Sequence, residues 1–342
     1  MQPVTMQTLV EEIVVQKFLI IRFSSIGDIV LTTPIVRCLK LQVPNAEVHF
    51  LTKQSFKGIL QENPYIDKLV LLNDNWDQTL QELKAENYTC IIDLHHNLRT
   101  LRIKKALKVP TFSFIKLNFK KWILTSFKIN TLPNTHIVDR NFETVQSFGV
   151  INDGKGLDYF IPQKDEVKGD DIPASHQFGY IGIVIGAALK TKQMPVHKLK
   201  DLCSKIEYPI ILLGGPEDRV DGDLIAAIDD IKIYNACGKF NLNESADLVR
   251  KAKLIITHDT GLMHIAAAFK KTILSVWGNT VPSFGMTPYF GNTNITNIVY
   301  EVKKLGCRPC SKIGYKKCPR GHFKCMELQN TDQIAKDALK LL

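Results

Sequence analysis

The amino-acid sequence predicts an α/β protein made of two Rossmann-like halves, each built on a parallel sheet. Short apolar runs, typical of buried strands, alternate with amphipathic helical patterns along most of the chain. The length of 342 residues exceeds the size at which a single hydrophobic core stops growing. A polar segment at 163–177 has the composition of a linker, and the alternation starts again after it.

The elements of the first half follow from these patterns. Apolar runs predict five strands, at 18–23, 48–51, 68–72, 90–94 and 111–114. Helical periodicity predicts three helices between them, at 30–41, 76–86 and 99–107.

The second half repeats the alternation. Its predicted strands are 180–185, 210–213, 233–236, 254–257 and 272–276, and its predicted helices are 197–206, 244–252 and 262–269. We therefore expect one domain at 1–165, a second at 166–325, and a closing helix at 326–342, for which packing back on the first domain is one option. Ligands are expected in the cleft between the domains, at the carboxyl ends of the strands.

The charge of the chain points to an anionic partner. The formal net charge of +10 suits nucleic acid, a phosphorylated metabolite or an acidic membrane surface. No apolar run reaches the roughly 18 residues that span a bilayer. The first residues, MQPVTMQTLVEEIVVQ, are acidic where a signal peptide would be basic, so we expect a cytoplasmic protein.

The stretch RFSSIGDIVLTTP, residues 22–34, places a carboxylate at the end of the first strand. Gly27 permits a tight turn, Ser24 or Ser25 can cap the helix that follows, and Asp28 falls in its first turn. Asp28 can simply stabilise the helix dipole, which contributes about 0.3–1 kcal/mol. Because this position faces the cleft, it can also act as a base on a substrate hydroxyl.

The stretch THDTGLMHIAAA, residues 257–268, predicts an anion site at a second strand-to-helix turn. Asp259, Thr260 and Gly261 form the turn, and the free N–H groups of the helix start suit a diphosphate. His264 lies about one turn into the helix. Its ring either faces the anion or a ribose, or is buried in the core.

A third strand-end turn, GAALKTKQMP at 186–195, carries Lys192. The turn is either a solvated loop or a further part of the anion site. Neither half has a G-x-G-x-x-G turn or a P-loop, which disfavours dehydrogenases and nucleoside triphosphatases.

Together these segments resemble glycosyltransferase family 9, the ADP-heptose:lipopolysaccharide heptosyltransferases. IIRFSSIGDIVLTTP resembles the family's N-terminal signature, THDTGLMHIAAAFKKTILSVWGNTVP its donor-binding segment, and TKQMP its lysine-bearing loop. The resemblance implies a GT-B fold, with two Rossmann-like domains facing a central cleft. The first domain would bind the acceptor and the second the nucleotide-sugar donor.

The resemblance also implies a reaction and its residues. The reaction would be inverting transfer of heptose from ADP-heptose to a lipopolysaccharide core acceptor, lipid A bearing Kdo or heptose, without a metal or other cofactor. Asp28 would be the general base, with Ser25 and Gly27 beside the acceptor. The donor would be bound by a set taken from both C-terminal turns: Lys192, Asp259, Thr260, Gly261 and His264.

The segment 99–128 has nine Lys or Arg residues, no Asp or Glu, and several aromatic residues. It can be a solvated basic face or, without a recognised motif, a nucleic-acid surface. We expect it instead to attract an anionic glycolipid acceptor at the inner face of the cytoplasmic membrane, through Arg99, Arg102 and Lys105. No nucleic-acid partner is expected.

Four cysteines lie close together near the C-terminus: Cys307, Cys310, Cys318 and Cys325. The C-x-x-C pair suits tetrahedral zinc, but the wider second spacing does not, and disulfides are not expected in the cytosol. We expect reduced thiols, with a structural zinc site as the alternative.

Other functions remain open beside the heptosyltransferase. The chain can be a GT-B glycosyltransferase for another nucleotide sugar, a nucleotide-sugar epimerase, or a basic lipid- or nucleic-acid-binding module. Only transfer consumes an acceptor, and a binding module would tolerate the loss of Asp28.

Overall fold

The computed structural model describes residues 15–342, which form two parallel sheets. The segment 1–14, in which the sequence argues against a signal peptide, lies outside the described residues. Within the described part of the chain, no helix is both long and apolar enough to cross a membrane.

The N-terminal sheet has five strands: β1 (Gln16–Ile21), β2 (Ala46–Lys53), β3 (Lys68–Leu72), β4 (Cys90–Asp93) and β5 (Thr111–Ser113). Their order is β3-β2-β1-β4-β5, and every pairing is parallel. The helices of this half are α1 (Ile26–Val30), α2 (Thr33–Gln42), α3 (Lys57–Leu60), α4 (Trp76–Ala85), α5 (Leu98–Leu107), α6 (Asn118–Phe127) and α7 (Ile137–Phe142).

The C-terminal sheet has six strands: β6 (Ile181–Val184), β7 (Ile210–Leu213), β8 (Ile233–Asn235), β9 (Leu254–His258), β10 (Thr272–Trp277) and β11 (Asn297–Glu301). Their order is β11-β10-β9-β6-β7-β8, again all parallel. The helices are α8 (Val196–Ser204), α9 (Arg219–Ala226), α10 (Leu242–Lys251), α11 (Gly261–Ala268), α12 (Lys324–Glu327) and α13 (Thr331–Lys340).

The central strand β1 is buried on both of its faces. Phe18 and Ile20 belong to one apolar cluster, and Leu19 and Ile21 belong to another on the opposite side. This is why the strands read as continuous apolar runs rather than alternating ones. The predicted fold class of two parallel α/β sheets is confirmed.

Several details differ from the sequence prediction. The predicted helix 30–41 is two helices, α1 and α2, and Pro34 stands in the first turn of α2, where a missing N–H does no harm. The edge strand β11 was not predicted because its residues are mostly half-buried and do not form a strongly apolar run.

The polar segment 163–177 is not a free linker. Val167 is buried, and its amide donates to the buried Asp247 Oδ2 of α10 at 2.8 Å. Asn243 of α10 donates to Asp165 at 2.9 Å. The polar composition therefore reflects capping and pairing with α10.

Within residues 15–342, the closing helix α13 packs on the C-terminal half and not back on the N-terminal half, so that option is wrong. Its apolar face, with Ile334, Ala335 and Ala338, joins the core cluster of the C-terminal sheet. Lys205, which follows α8, pairs with Asp332 at 2.8 Å. The apolar face of this strongly amphipathic helix is therefore buried within the C-terminal half.

The two halves meet where α1 and α11 begin. A Cβ on Gly27 would lie 2.5 Å from His264 Cδ2, and a Cβ on Gly261 would lie 2.7 Å from Ile26 Cγ2. Real Cβ atoms do not approach so closely, so both positions need glycine to let the helices touch. This contact aligns the carboxyl ends of β1 and β9 across the cleft.

Gly27→Ala should therefore destabilise the protein. The added methyl must displace the buried His264 ring, and overpacking of this kind lowers the free energy of unfolding by about 1–3 kcal/mol. Urea unfolding measures the effect. Gly58→Ala is the matched control, because its Cβ would meet only Asn243 Nδ2, at 3.6 Å. Equal stabilities of the two variants would contradict the close approach.

Candidate active site

Asp28 sits in the first turn of α1, directly after the carboxyl end of β1. The amide of Ser25 donates to Asp28 Oδ2 at 3.2 Å, and the Ser25 hydroxyl donates to the same oxygen at 2.7 Å. Serine before the helix and a carboxylate three residues later make a capping box. Asp28 therefore has a structural role at the start of α1, as the sequence allowed.

Asp28 also has an ion-pair partner that the sequence interpretation missed. Arg22 Nη2 lies 2.6 Å from Asp28 Oδ1, and Arg22 Nε donates to the carbonyl of Ser24 at 2.8 Å. A further bond from Arg22 reaches the carbonyl of Leu94, after β4. Arg22 thus links the turn that follows β1 to the end of the neighbouring strand β4, and it orients the Asp28 carboxylate.

These contacts set the ionisation of Asp28. Burial raises its pKa, but the charge of Arg22 and the hydrogen bonds from Ser25 outweigh burial, and His264 adds to them, so the pKa lies below its usual range. Asp28 is a carboxylate at neutral pH. Its side chain is 25% exposed, which leaves it accessible from the cleft.

On the facing half, Lys192 is held at the start of α11. Its Nζ lies 2.7 Å from Asp259 Oδ2 and donates to the Asp259 carbonyl at 3.3 Å. The Thr280 hydroxyl donates to the same carboxylate at 2.9 Å. Because a carboxylate repels a diphosphate, the contacts of Asp259 favour a role in positioning Lys192 over direct contact with an anion.

The turn before α11 keeps its amide groups available. Thr260 is the residue before the helix and makes no capping bond with its side chain, and Gly261 is half-buried. The first amides of an α-helix have no partner within the helix, so this eight-residue helix presents donors to the cleft. Lys192 adds a positive charge at the same place.

His264 is buried, with 2% of its surface exposed, and its ring packs on Gly27 across the cleft. Burial lowers its pKa to about 4, so the ring is neutral at neutral pH. Its Nδ1 has no hydrogen-bond partner among the described residues. The structure thus gives the ring a packing role between the halves and leaves one nitrogen unused.

The lysine-bearing loop is fixed from two sides. The amide and the hydroxyl of Thr191 both donate to the carbonyl of Tyr315, each at 3.1 Å. The amide of Met194 donates to His258 Nε2 at 3.0 Å, and Met194 is 3% exposed in the core. The cysteine-containing segment therefore supports the loop of Lys192, a link that the sequence did not reveal.

The predicted acceptor cations lie on α5 and are exposed. Arg99 and Lys105 have their side chains in solvent, whereas the Arg102 guanidinium lies 5.0 Å from the Trp76 ring centroid, on the side of α4. Their role in acceptor binding remains a prediction. In the same basic segment, Lys116 and Lys121 are half-buried.

Among the described residues, the C-terminal cysteines do not form a compact set of metal ligands. Cys307 Sγ lies 3.8 Å from His322 Nε2. Within residues 15–342, the one group of three potential ligands within 4.8 Å is Glu47, His49 and Glu86. Lys17 neutralises both of those glutamates, so this group is an ion-pair cluster. Reduced thiols, a structural zinc site and the absence of any metal requirement all stay predictions.

Comparison with known proteins identifies the family of the chain. The family model for glycosyltransferase family 9 (heptosyltransferase) matches residues 76–316. Lipopolysaccharide heptosyltransferase 1 of Campylobacter coli is 26% identical over 323 residues, covering 84% of this chain and 90% of the relative.

Two solved structures share the fold. A family 9 glycosyltransferase of Veillonella parvula has a TM-score of 0.77 at 22% identity, covering 95% of this chain and 97% of that one. The ADP-heptose lps heptosyltransferase II of E. coli has a TM-score of 0.73 at 17% identity, covering 95% of this chain and 98% of that one. Because the family model matches well over half of the chain, the chain belongs to glycosyltransferase family 9, the heptosyltransferases, and is a glycosyltransferase.

Proposed function

We propose that this glycosyltransferase moves heptose from ADP-heptose to an acidic lipopolysaccharide core acceptor with inversion at the anomeric carbon. The observation that carries the proposal is the contact between the starts of α1 and α11. It puts an ionised carboxylate on one side of the cleft and a lysine with free helix amides on the other. Named relatives that are lipopolysaccharide heptosyltransferases support the donor and the acceptor.

On the acceptor side, the N-terminal half holds the base. Inversion needs an acceptor oxygen that attacks the anomeric carbon opposite the leaving group while losing its proton. Asp28 takes that proton, and Arg22 and Ser25 hold the carboxylate in place. Because its pKa is low, Asp28 is unprotonated before the acceptor arrives. A positioned base contributes about 10²–10⁴-fold in rate.

On the donor side, the C-terminal half holds the leaving group. The transition state resembles an oxocarbenium ion, and negative charge grows on the departing diphosphate. Lys192 turns from Asp259 toward that diphosphate, and the amides at Gly261 donate to it. Preorganised donors of this kind stabilise the growing charge, so these residues can assist departure by themselves.

Asp28→Asn should lower the transfer rate by about 10²–10⁴-fold while ADP affinity stays within a few-fold, because the base acts on the acceptor alone. Purified protein with ADP-heptose and a panel of truncated lipopolysaccharides is assayed by mass spectrometry, and ADP binding by calorimetry.

Lys192→Ala is the contrasting variant and should lose ADP affinity. Near-normal transfer by Asp28→Asn would leave that residue only its capping role. If the enzyme transferred sugar from another nucleotide sugar and not from ADP-heptose, ADP-heptose would not be the donor.

Arg22→Gln should move the acidic limb of the pH–rate profile to higher pH. Without the guanidinium, burial raises the pKa of Asp28 with less opposition. The base works only when deprotonated, so activity is then lost at a higher pH as the solution is acidified. The measurement is kcat/KM against pH for both proteins. An acidic limb at the same pH in both would show that Arg22 does not set the pKa of the base.

We also propose that the enzyme works in the cytoplasm, at the inner face of the cytoplasmic membrane, with α6 resting on the bilayer. Phe119, Trp122 and Phe127 are 70%, 49% and 60% exposed. The Phe119 and Trp122 rings stack with centroids 5.9 Å apart, and the Trp122 and Phe127 rings meet edge to face at 5.4 Å. The opposite face of α6 is anchored, since Leu124 packs on Val281. An aromatic ridge in a segment with nine cations and no acids suits an anionic bilayer.

The protein should sediment with phosphatidylglycerol vesicles more than with phosphatidylcholine vesicles, and less as salt is added. Replacing Phe119 and Trp122 together by Ser should weaken this binding about 10-fold or more. Phe178→Ser is the control, because that ring is 90% exposed on the C-terminal half. An equal loss in the control, or no preference for anionic vesicles, would contradict attachment through α6.

A further inference from the structure

Arg308, which lies shortly after β11, is a buried cation, and all three of its nitrogens donate hydrogen bonds. Its side chain is 7% exposed, and its Nη1 pairs with Glu301 Oε2, at the end of β11, at 2.7 Å. Its Nε donates to the carbonyl of Gly278 at 2.6 Å, and its Nη2 donates to that of Thr280 at 2.8 Å. A longer bond from Nη2 reaches the carbonyl of Trp277 at 3.5 Å. One guanidinium therefore holds the turn that follows β10.

The turn held by Arg308 carries the hydroxyl that orients Asp259. Thr280 is 2% exposed, and its hydroxyl donates to Asp259 Oδ2 at 2.9 Å. The same oxygen lies 2.7 Å from Lys192 Nζ. A chain of direct contacts thus runs from Arg308 to Lys192, the lysine that we propose to face the diphosphate.

The segment that begins with Arg308 also holds the other side of the lysine-bearing loop. The amide of Tyr315 donates to the Thr191 hydroxyl at 2.7 Å, and the amide of Thr191 donates to the Tyr315 carbonyl at 3.1 Å. Thr191 directly precedes Lys192 and is buried. Residues 308–315, which we call the clamp segment, therefore hold Lys192 through its counterion on one side and through its backbone neighbour on the other.

The clamp segment forms neither a helix nor a strand, but its backbone is bonded in place. The ammonium of Lys128, which follows α6 of the N-terminal half, donates to the carbonyl of Pro309 at 2.7 Å. The Tyr315 hydroxyl donates to the carbonyl of Cys310 at 3.2 Å. A support must itself be fixed if it is to hold a binding group in the productive geometry, and these bonds meet that condition.

We propose that Arg308 is a positioning residue for the donor, which acts through the turn after β10 to fix Lys192 where the diphosphate of the nucleotide sugar binds. This inference rests on the proposed function. A guanidinium suits the task because its planar fork binds several oxygens in fixed directions, whereas an ammonium acts as a point charge. Since a displacement of about 1 Å near the reacting atoms can cost about 10²-fold in rate, a residue that does not itself touch the donor can affect transfer.

The first test compares the ADP affinity of Arg308→Lys with that of the parent by calorimetry. Lysine keeps the charge but cannot bind the turn and Glu301 together, so ADP should bind about 10-fold more weakly. Arg250→Lys is the control, because that guanidinium also pairs with acids, Glu166 and Asp247, but outside the contacts of Lys192. Its ADP affinity should stay within about twofold. Partial unfolding would lower the number of binding sites and not the affinity, so the stoichiometry separates the two effects.

The second test asks whether the effect passes through the lysine. In a Lys192→Ala background, Arg308→Lys should change the ADP affinity by no more than about twofold, because residues that act along one route are not additive. Thr280→Val removes the hydroxyl that meets Asp259, so it should weaken ADP binding in the parent and add little to Arg308→Lys. In transfer assays, Arg308→Lys should lower kcat and raise the KM for the donor, while the KM for a deacylated acceptor stays within about twofold.

Three outcomes would overturn the assignment of Arg308. They are an unchanged ADP affinity in Arg308→Lys, an equal loss of affinity in Arg250→Lys, or a loss that persists in full in the Lys192→Ala background. Because ADP calorimetry needs neither heptose nor an acceptor, this test is separate from the proposed reaction. A protein that shows the coupling between Arg308 and Lys192 but transfers no heptose would refute the reaction and still support the positioning role.

Discussion

The close packing of α1 on α11 is the constraint on which the site depends. Gly27 and Gly261 each stand where a Cβ would collide with the facing helix. Through this contact, two strand-to-helix turns from different sheets lie side by side. In the proposed reaction, a carboxylate of one half and a lysine of the other act on the same bond, although Lys192 lies 164 positions after Asp28 in the chain.

Around this contact, the free protein pairs the charged side chains of the two turns. Asp28 is held by Arg22, and Lys192 is held by Asp259. Each pair keeps a side chain in place until a substrate competes for it, which limits the reorganisation needed when substrates bind. Arg140 departs from this rule, since its guanidinium is buried and has no acid in contact among the described residues.

The sequence was informative wherever structure is local. Strands buried on both faces produce apolar runs, so ten of the eleven strands in residues 15–342 were predicted, and the half-buried edge strand β11 was not. Asp28 and the turn at 259–261 were also found, because a strand-to-helix turn is defined by neighbouring residues. The predicted fold class and family were both confirmed.

What the sequence could not show depends on tertiary contacts. The pairing of Arg22 with Asp28, the packing of His264 on Gly27 and the packing of α13 within its own half join residues through space. Charge composition marked the basic segment 99–128 but could not separate exposed Arg99 from half-buried Lys121, because burial is not encoded in residue type.

A crystal structure with ADP and a deacylated acceptor tests the account most directly. We expect the diphosphate at Lys192 Nζ and the first amides of α11, and an acceptor hydroxyl within hydrogen-bond distance of Asp28, on the opposite side of the sugar position. A nucleotide bound away from α11, or an acceptor whose hydroxyls all lie out of reach of Asp28, would contradict it.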